Sequence, residues 1–146
     1  MTIDERIARY IIAAQAGSDS GKGIRGETGA RKNVIRGAVR YGYTAKLPYL
    51  MNALRLLKTN KKSMFRWYVK QEDDQNGYDS ILVYFNFHID GKPYQISFHT
   101  PYNLAPPELL DMVGKGTPTH WRRNPNSRES TRELVKKFHL EKELSL

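Results

Sequence analysis

The sequence predicts an α+β fold: N-terminal helices, a three-stranded antiparallel β-meander and a C-terminal helix. Three observations carry that prediction. Apolar residues recur at helical spacing near both ends of the chain. The hydrophobic period shortens from about 3.6 to about 2 between Phe65 and Thr100, and Asp90-Gly91 separates two alternating runs where a two-residue hairpin turn belongs.

Taken in order, Thr2 and Glu5 form a capping-box pair, and Ile3, Ile7, Tyr10, Ile11 and Ala14 follow at helical spacing as far as Gly17. The first element is therefore an amphipathic helix. Five of the 11 glycines then fall between Gly17 and Gly29, which predicts a flexible, basic loop at about 17–30, because glycine weakens helix and strand interiors alike. In "ARKNVIRGAVRY", Val34, Ile35, Ala38 and Val39 make a narrow apolar stripe, and a helix here would stack Lys32, Arg36 and Arg40 on one face. Like charges so placed repel by a few tenths of a kcal/mol per pair, a cost that an anionic partner would relieve. "LPYLMNALRLLK" puts Leu47, Leu50, Met51, Leu54 and Leu57 on one side of a core helix, with Pro48 in its first turn.

The alternation of "MFRWYVKQ" and "ILVYFNFHI" reads as two half-buried strands joined by the acidic loop "EDDQNGYDS", and Asp90-Gly91 leads into a third, "KPYQISFHT". With that turn, Phe87 faces Tyr94, Phe85 faces Ile96 and Val83 faces Phe98, a consistent apolar face. Beyond Thr100 the chain is proline-rich. Pro107 starts a short helix ending near Gly114, and a last helix is predicted with Ser130 and Glu133 as capping box and Leu134, Val135 and Phe138 as buried face. The length of 146 residues fits one domain.

Composition narrows the function. The chain has no cysteine, which excludes disulfides, thiolate metal sites and cysteine nucleophiles. Its apolar runs are far too short for a membrane span and its N-terminus is amphipathic, so a cytoplasmic protein without membrane contact is expected. Charge is the most informative property. The net charge is +9, but between Ser20 and Lys70 thirteen Lys or Arg face a single acid, Glu27. Such a concentration points to a polyanion, most simply nucleic acid, against the plainer reading of a basic half that merely faces water.

The stretch "GSDSGKGIRGETG" imitates a nucleotide loop, since Gly21, Gly23 and Gly26 complete G-x-G-x-x-G. The context is wrong for one. Gly17 and Gly21 enclose three residues where a Walker loop has four, Gly23 replaces the hydroxyl residue that reaches magnesium, and a helix precedes the loop instead of a strand. No nucleotide cofactor is expected. Lys22, Arg25, Arg31, Lys32, Arg36 and Arg40 instead suit a nucleic-acid backbone, whose phosphates glycine-rich chain lets main-chain amides approach. The plain alternative is a linker.

The hairpin register gathers Tyr84, Asn86, His88, Gln95, Ser97 and His99 on the face opposite the aromatic core, to which the first strand adds Arg66, Tyr68 and Lys70. Aromatic rings and cations on one face suit single-stranded RNA, and Lys61 and Lys62 lie just upstream. His88, His99 and Tyr84 also admit general acid–base cleavage of RNA through the ribose 2′-hydroxyl, without metal. The alternatives for this face are a plain solvent-facing surface, or one covered by the C-terminal segment whose polar groups pair internally. His88, His99, His120 and His139 have no close ligand spacing, so no metal site is expected. In "HWRRNPNSR", Trp121 reads as core rather than as a stacking residue.

The segment "VYFNFHIDGKPYQISFHTPY" resembles small proteins of phages and integrative elements that carry a "QISFH"-like strand, including type II-A anti-CRISPR proteins that act on Cas9 and its guide RNA. The resemblance covers about twenty residues and carries over no catalytic residue. It implies an element-encoded inhibitor that engages a ribonucleoprotein in the host cytoplasm. The expected function is therefore nucleic-acid binding, RNA favoured, with a Cas9 ribonucleoprotein as the implied partner. The alternatives are a metal-independent endoribonuclease and a protein-interaction module.

Overall fold

The structure is a computed structural model and describes residues 1–28, 32–35, 38–41, 46–73, 79–118 and 127–144. The fold is α+β. Helix α1 spans Ile3–Thr28. A hairpin of β1 (Lys32–Ile35) and β2 (Ala38–Tyr41) follows, then α2 (Leu47–Thr59). The meander of β3 (Arg66–Asp73), β4 (Asp79–Ile89) and β5 (Lys92–Pro101) comes next, then a 3-10 turn, the short α3 (Pro107–Leu110) and α4 (Ser127–Phe138).

Two elements depart from the sequence reading. Helix α1 continues as far as Thr28, into the glycine-rich stretch predicted as a loop, although each glycine costs a helix about 1 kcal/mol relative to alanine. Backbone permissiveness makes a loop easy without excluding a helix, so glycine density alone does not decide. Within "ARKNVIRGAVRY", Lys32–Ile35 and Ala38–Tyr41 are antiparallel strands in which Val34 lies opposite Val39 and Ile35 opposite Ala38. The apolar pairs satisfy a strand period as well as a helical stripe, and Lys32 and Arg40 lie in two paired strands rather than along one helical face.

At its N-terminus α1 forms one half of the predicted capping box, the Glu5 N–H donating to Thr2 Oγ1 at 3.0 Å, while the Glu5 carboxylate pairs with Arg9. Ile7 and Ile11 of α1 and Leu50, Leu54 and Leu57 of α2 are buried in one cluster with Phe65, Phe85, Phe87, Ile96 and Phe98 of the sheet side. The hairpin register is the one the Asp-Gly turn implies, with Phe87 opposite Tyr94, Phe85 opposite Ile96 and Val83 opposite Phe98. Asp90 and Gly91 both have positive φ, 52° and 79°, the conformation that a type I′ turn requires. Phe85 and Phe98 meet edge to face at 5.9 Å between ring centres.

Both free edges of the meander are engaged. Along β3, the Gly114 N–H donates to Val69 O at 2.7 Å, the Val69 N–H to Lys115 O at 3.2 Å, and the Thr117 N–H to Trp67 O at 2.7 Å. Along β5, the Ser97 N–H donates to Ser127 Oγ at 3.3 Å. Helix α4 begins at Ser127, three residues before the predicted cap. Ser130 is therefore inside the helix and buried, and it is Thr131 Oγ1 that donates to Ser127 O.

Candidate nucleic-acid interface

Where α2 ends, the chain turns through Asn60–Ser63 into β3, and that turn is tied to the first turn of α1. Asp4 Oδ1 accepts a bond from Ser63 Oγ at 2.6 Å and another from the Met64 N–H at 3.2 Å. Ser63 Oγ accepts from the Phe65 N–H in turn. The turn so fixed presents two carbonyls, Ser63 O and Phe65 O, to Arg66 Nη1 at 2.7 and 3.1 Å. The guanidinium is held by main-chain oxygens, and no acid pairs with it among the described residues.

Opposite this turn runs 114–117, paired to the edge of β3. Its position depends on Gly116, whose φ is +108° and whose missing Cβ would stand 2.1 Å from Trp67 O. Between the two walls lies a cleft of about 470 Å³. Lys58, Lys61, Arg66 and Lys115 supply its cationic lining, which contains no acid among the described residues, while Leu57, Phe65 and Trp67 supply its apolar part. Neither Lys61 nor Lys115 has an acidic partner among the described residues. Lys58 acts on Glu108 from a distance, and that carboxylate is already held by Arg55 at 2.9 Å. Four cations around one concavity raise its positive potential, because low-dielectric walls concentrate the field.

The polar sheet face assembles in the predicted register but is not an open platform. Arg66, Asn86 and Gln95 align across the three strands, as do Tyr68, Tyr84 and Ser97, and then Lys70, Leu82 and His99. Asn86 and Gln95 are only 2% and 4% exposed, and Gln95 Nε2 donates to Asn86 Oδ1 at 2.8 Å. Leu82 and Ser80 are buried as well. The face is therefore covered in part: Ser80, Leu82, Asn86 and Gln95 are buried, whereas Arg66, His88 and His99 are exposed. Tyr68 and Tyr84 are half-buried, and burial pushes the Tyr84 phenol above its ordinary pKa, with the Lys70 ammonium opposing. Lys70 pairs with Glu72 at 2.9 Å, a contact that holds its ammonium above the ordinary value. It is thus partly neutralised as a phosphate ligand.

The histidines are exposed on this face but far apart. His88 and Leu82, the partner of His99, are six residues apart on β4, so the two imidazoles stand about 20 Å apart at the usual strand rise. One acid–base pair cannot be built from them. Tyr84 is a diagonal neighbour of His99. No group of three or more potential metal ligands occurs among the described residues.

Of the other predicted contacts, Lys61 and Lys62 are exposed in the α2–β3 turn. For Lys22 and Arg25 only the helical backbone is described, and for Lys32 and Arg40 only their places in β1 and β2. Arg31, Arg36 and Trp121 lie outside the described residues. Sequence reasoning missed Lys58, Lys115, Trp67 and Asp4 as members or supports of the cleft. Lys115 follows Lys61 by more than fifty positions and meets it only because 114–117 pairs with β3. The nearest signal was "GKG", two glycines flanking a lysine. No protein-family model, curated protein or solved structure matches this chain. No helix among the described residues is long and apolar enough to cross a membrane.

Proposed function

We propose that this protein binds nucleic acid, RNA in preference, and that the cleft between the α2–β3 turn and 114–117 is part of the contact surface. One observation carries the reading: Lys58, Lys61, Arg66 and Lys115 line a single concavity that has no acid among its described residues. The cleft also belongs largely to the segment where thirteen cations face one acid. Polyphosphate is the abundant partner for such a surface, and binding releases counterions from it. Lys22, Arg25, Arg31, Lys32, Arg36, Arg40 and Lys62 extend the basic surface of the proposal in sequence. Cleavage by His88, His99 and Tyr84 is disfavoured by the separation of the two histidines.

The partner that the hairpin resemblance implies is a ribonucleoprotein of the Cas9 type, met in a host cytoplasm. Fluorescence anisotropy with a labelled single-stranded RNA tests the binding reading. We expect saturable binding that Lys61→Glu together with Lys115→Glu weakens at least tenfold. Equal affinity of that variant and the parent chain would overturn it. A guide-RNA-loaded Cas9 cleavage assay then tests the partner separately.

A further inference from the structure

We infer that the cleft is a pocket for one unpaired nucleotide, its phosphate among the lysines and its base against Trp67. The inference rests on the nucleic-acid reading above and specifies the ligand of that site. The two kinds of lining argue for it. A site for bare phosphate needs cations and donors only, yet here half-buried Trp67, backed by the buried Leu57 and Phe65, adds an apolar wall beside Lys58, Lys61 and Lys115. A lipid chain would need an apolar cavity without this charge. A nucleotide combines a flat, largely apolar base with an anionic phosphate and fits both halves.

Size agrees, since about 470 Å³ lies within the range of small-ligand sites and well below a groove that follows a long duplex. The site is also pre-organised. Arg66 is held by Ser63 O and Phe65 O, the turn that provides them is anchored on Asp4, and the opposite wall is fixed to β3 through Gly114 and Thr117. Half-buried Trp67 sits on the edge strand, between the core and the cleft, where one part of its indole is packed and the rest lines the opening. Base–aromatic stacking tolerates any base, so the pocket is expected to be sequence-tolerant.

The chain has two tryptophans, so Trp121→Phe makes Trp67 the only one. In that variant adenosine monophosphate and uridine monophosphate should quench Trp67 fluorescence saturably, at concentrations at least about tenfold below those needed for inorganic phosphate. Trp67→Leu in the unaltered background should abolish that preference, read by calorimetry, while Lys61→Ala with Lys115→Ala should weaken nucleotide and phosphate together. Calorimetry on the unaltered chain gives the same comparison if Trp121→Phe does not fold. Equal affinity for nucleotide and inorganic phosphate, or quenching by an acidic aromatic peptide and not by nucleotide, would overturn the pocket. Retained binding of labelled RNA by the same protein would then leave the proposed function standing, whereas loss of both would remove both.

Discussion

Gly116→Ala is the smallest perturbation that tests how the cleft is built. The added methyl would stand 2.1 Å from Trp67 O and 2.9 Å from Tyr68 Cα, and both are main-chain atoms of β3 that no rotamer change can move aside. The backbone at φ +108° is also strained for any side chain. The 114–117 segment must therefore lift from β3 and lose its bonds to Val69 and Trp67, three in number. At a net value of about 1 kcal/mol each, the loss is about 3 kcal/mol. With a urea dependence of about 1.5–2 kcal/mol per molar, the unfolding midpoint should fall by about 1.5–2 M. Lys115 moves with the segment, so RNA affinity should fall in conditions where the variant is still folded. An unchanged midpoint together with unchanged affinity would refute both the placement of 114–117 and its role as a cleft wall.

Other outcomes follow from the same packing. Phe85→Ala removes a fully buried ring stacked edge to face on Phe98 and should cost about 3–5 kcal/mol, read in urea or thermal unfolding. Asp4→Ala deprives Ser63 Oγ and the Met64 N–H of their carboxylate and should cost about 1.5–3 kcal/mol, with a loss of RNA affinity because the turn that holds Arg66 loosens. The Arg55 guanidinium, chiefly by hydrogen bonding, holds the Glu108 carboxyl below its usual range. Its contribution is present above the unfolded carboxyl value of about 4.3 and is lost as pH falls through the lower folded value. Glu108→Gln should therefore flatten the acid limb of midpoint against pH, with the two curves meeting at the acid end.

The parts of the fold legible in sequence are those where one pattern excludes the others. In β4 and β5 alternation with an Asp-Gly turn fixed every cross-strand partner, because a slip by one residue would turn Phe85 and Phe98 to the wrong face. The 3.6 period of α2 was equally unambiguous, with Leu50, Met51, Leu54 and Leu57 all buried. Ambiguity begins where two periods fit, as in Val34, Ile35, Ala38 and Val39, and where glycine lowers the cost of a loop without forbidding a helix. Partial burial of the sheet's second face was not legible, because Asn86 and Gln95 are polar in sequence, and nothing in their identity shows that they are buried and bonded to each other. The cleft was legible in part. Lys61 and Arg66 stand out by charge, whereas Lys115 joins them through main-chain bonds that leave no mark in side-chain identity.

The most direct test of the account is the salt dependence of RNA binding. Four cations neutralising phosphates of a single strand give a slope of log affinity against log salt of about −3, so a rise from 50 to 200 mM should weaken binding about 50-fold. Lys61→Ala with Lys115→Ala should bring the slope about 1.4 closer to zero. An affinity that stays constant across that range, or a slope the double substitution leaves untouched, would contradict the claim that this cleft engages nucleic acid.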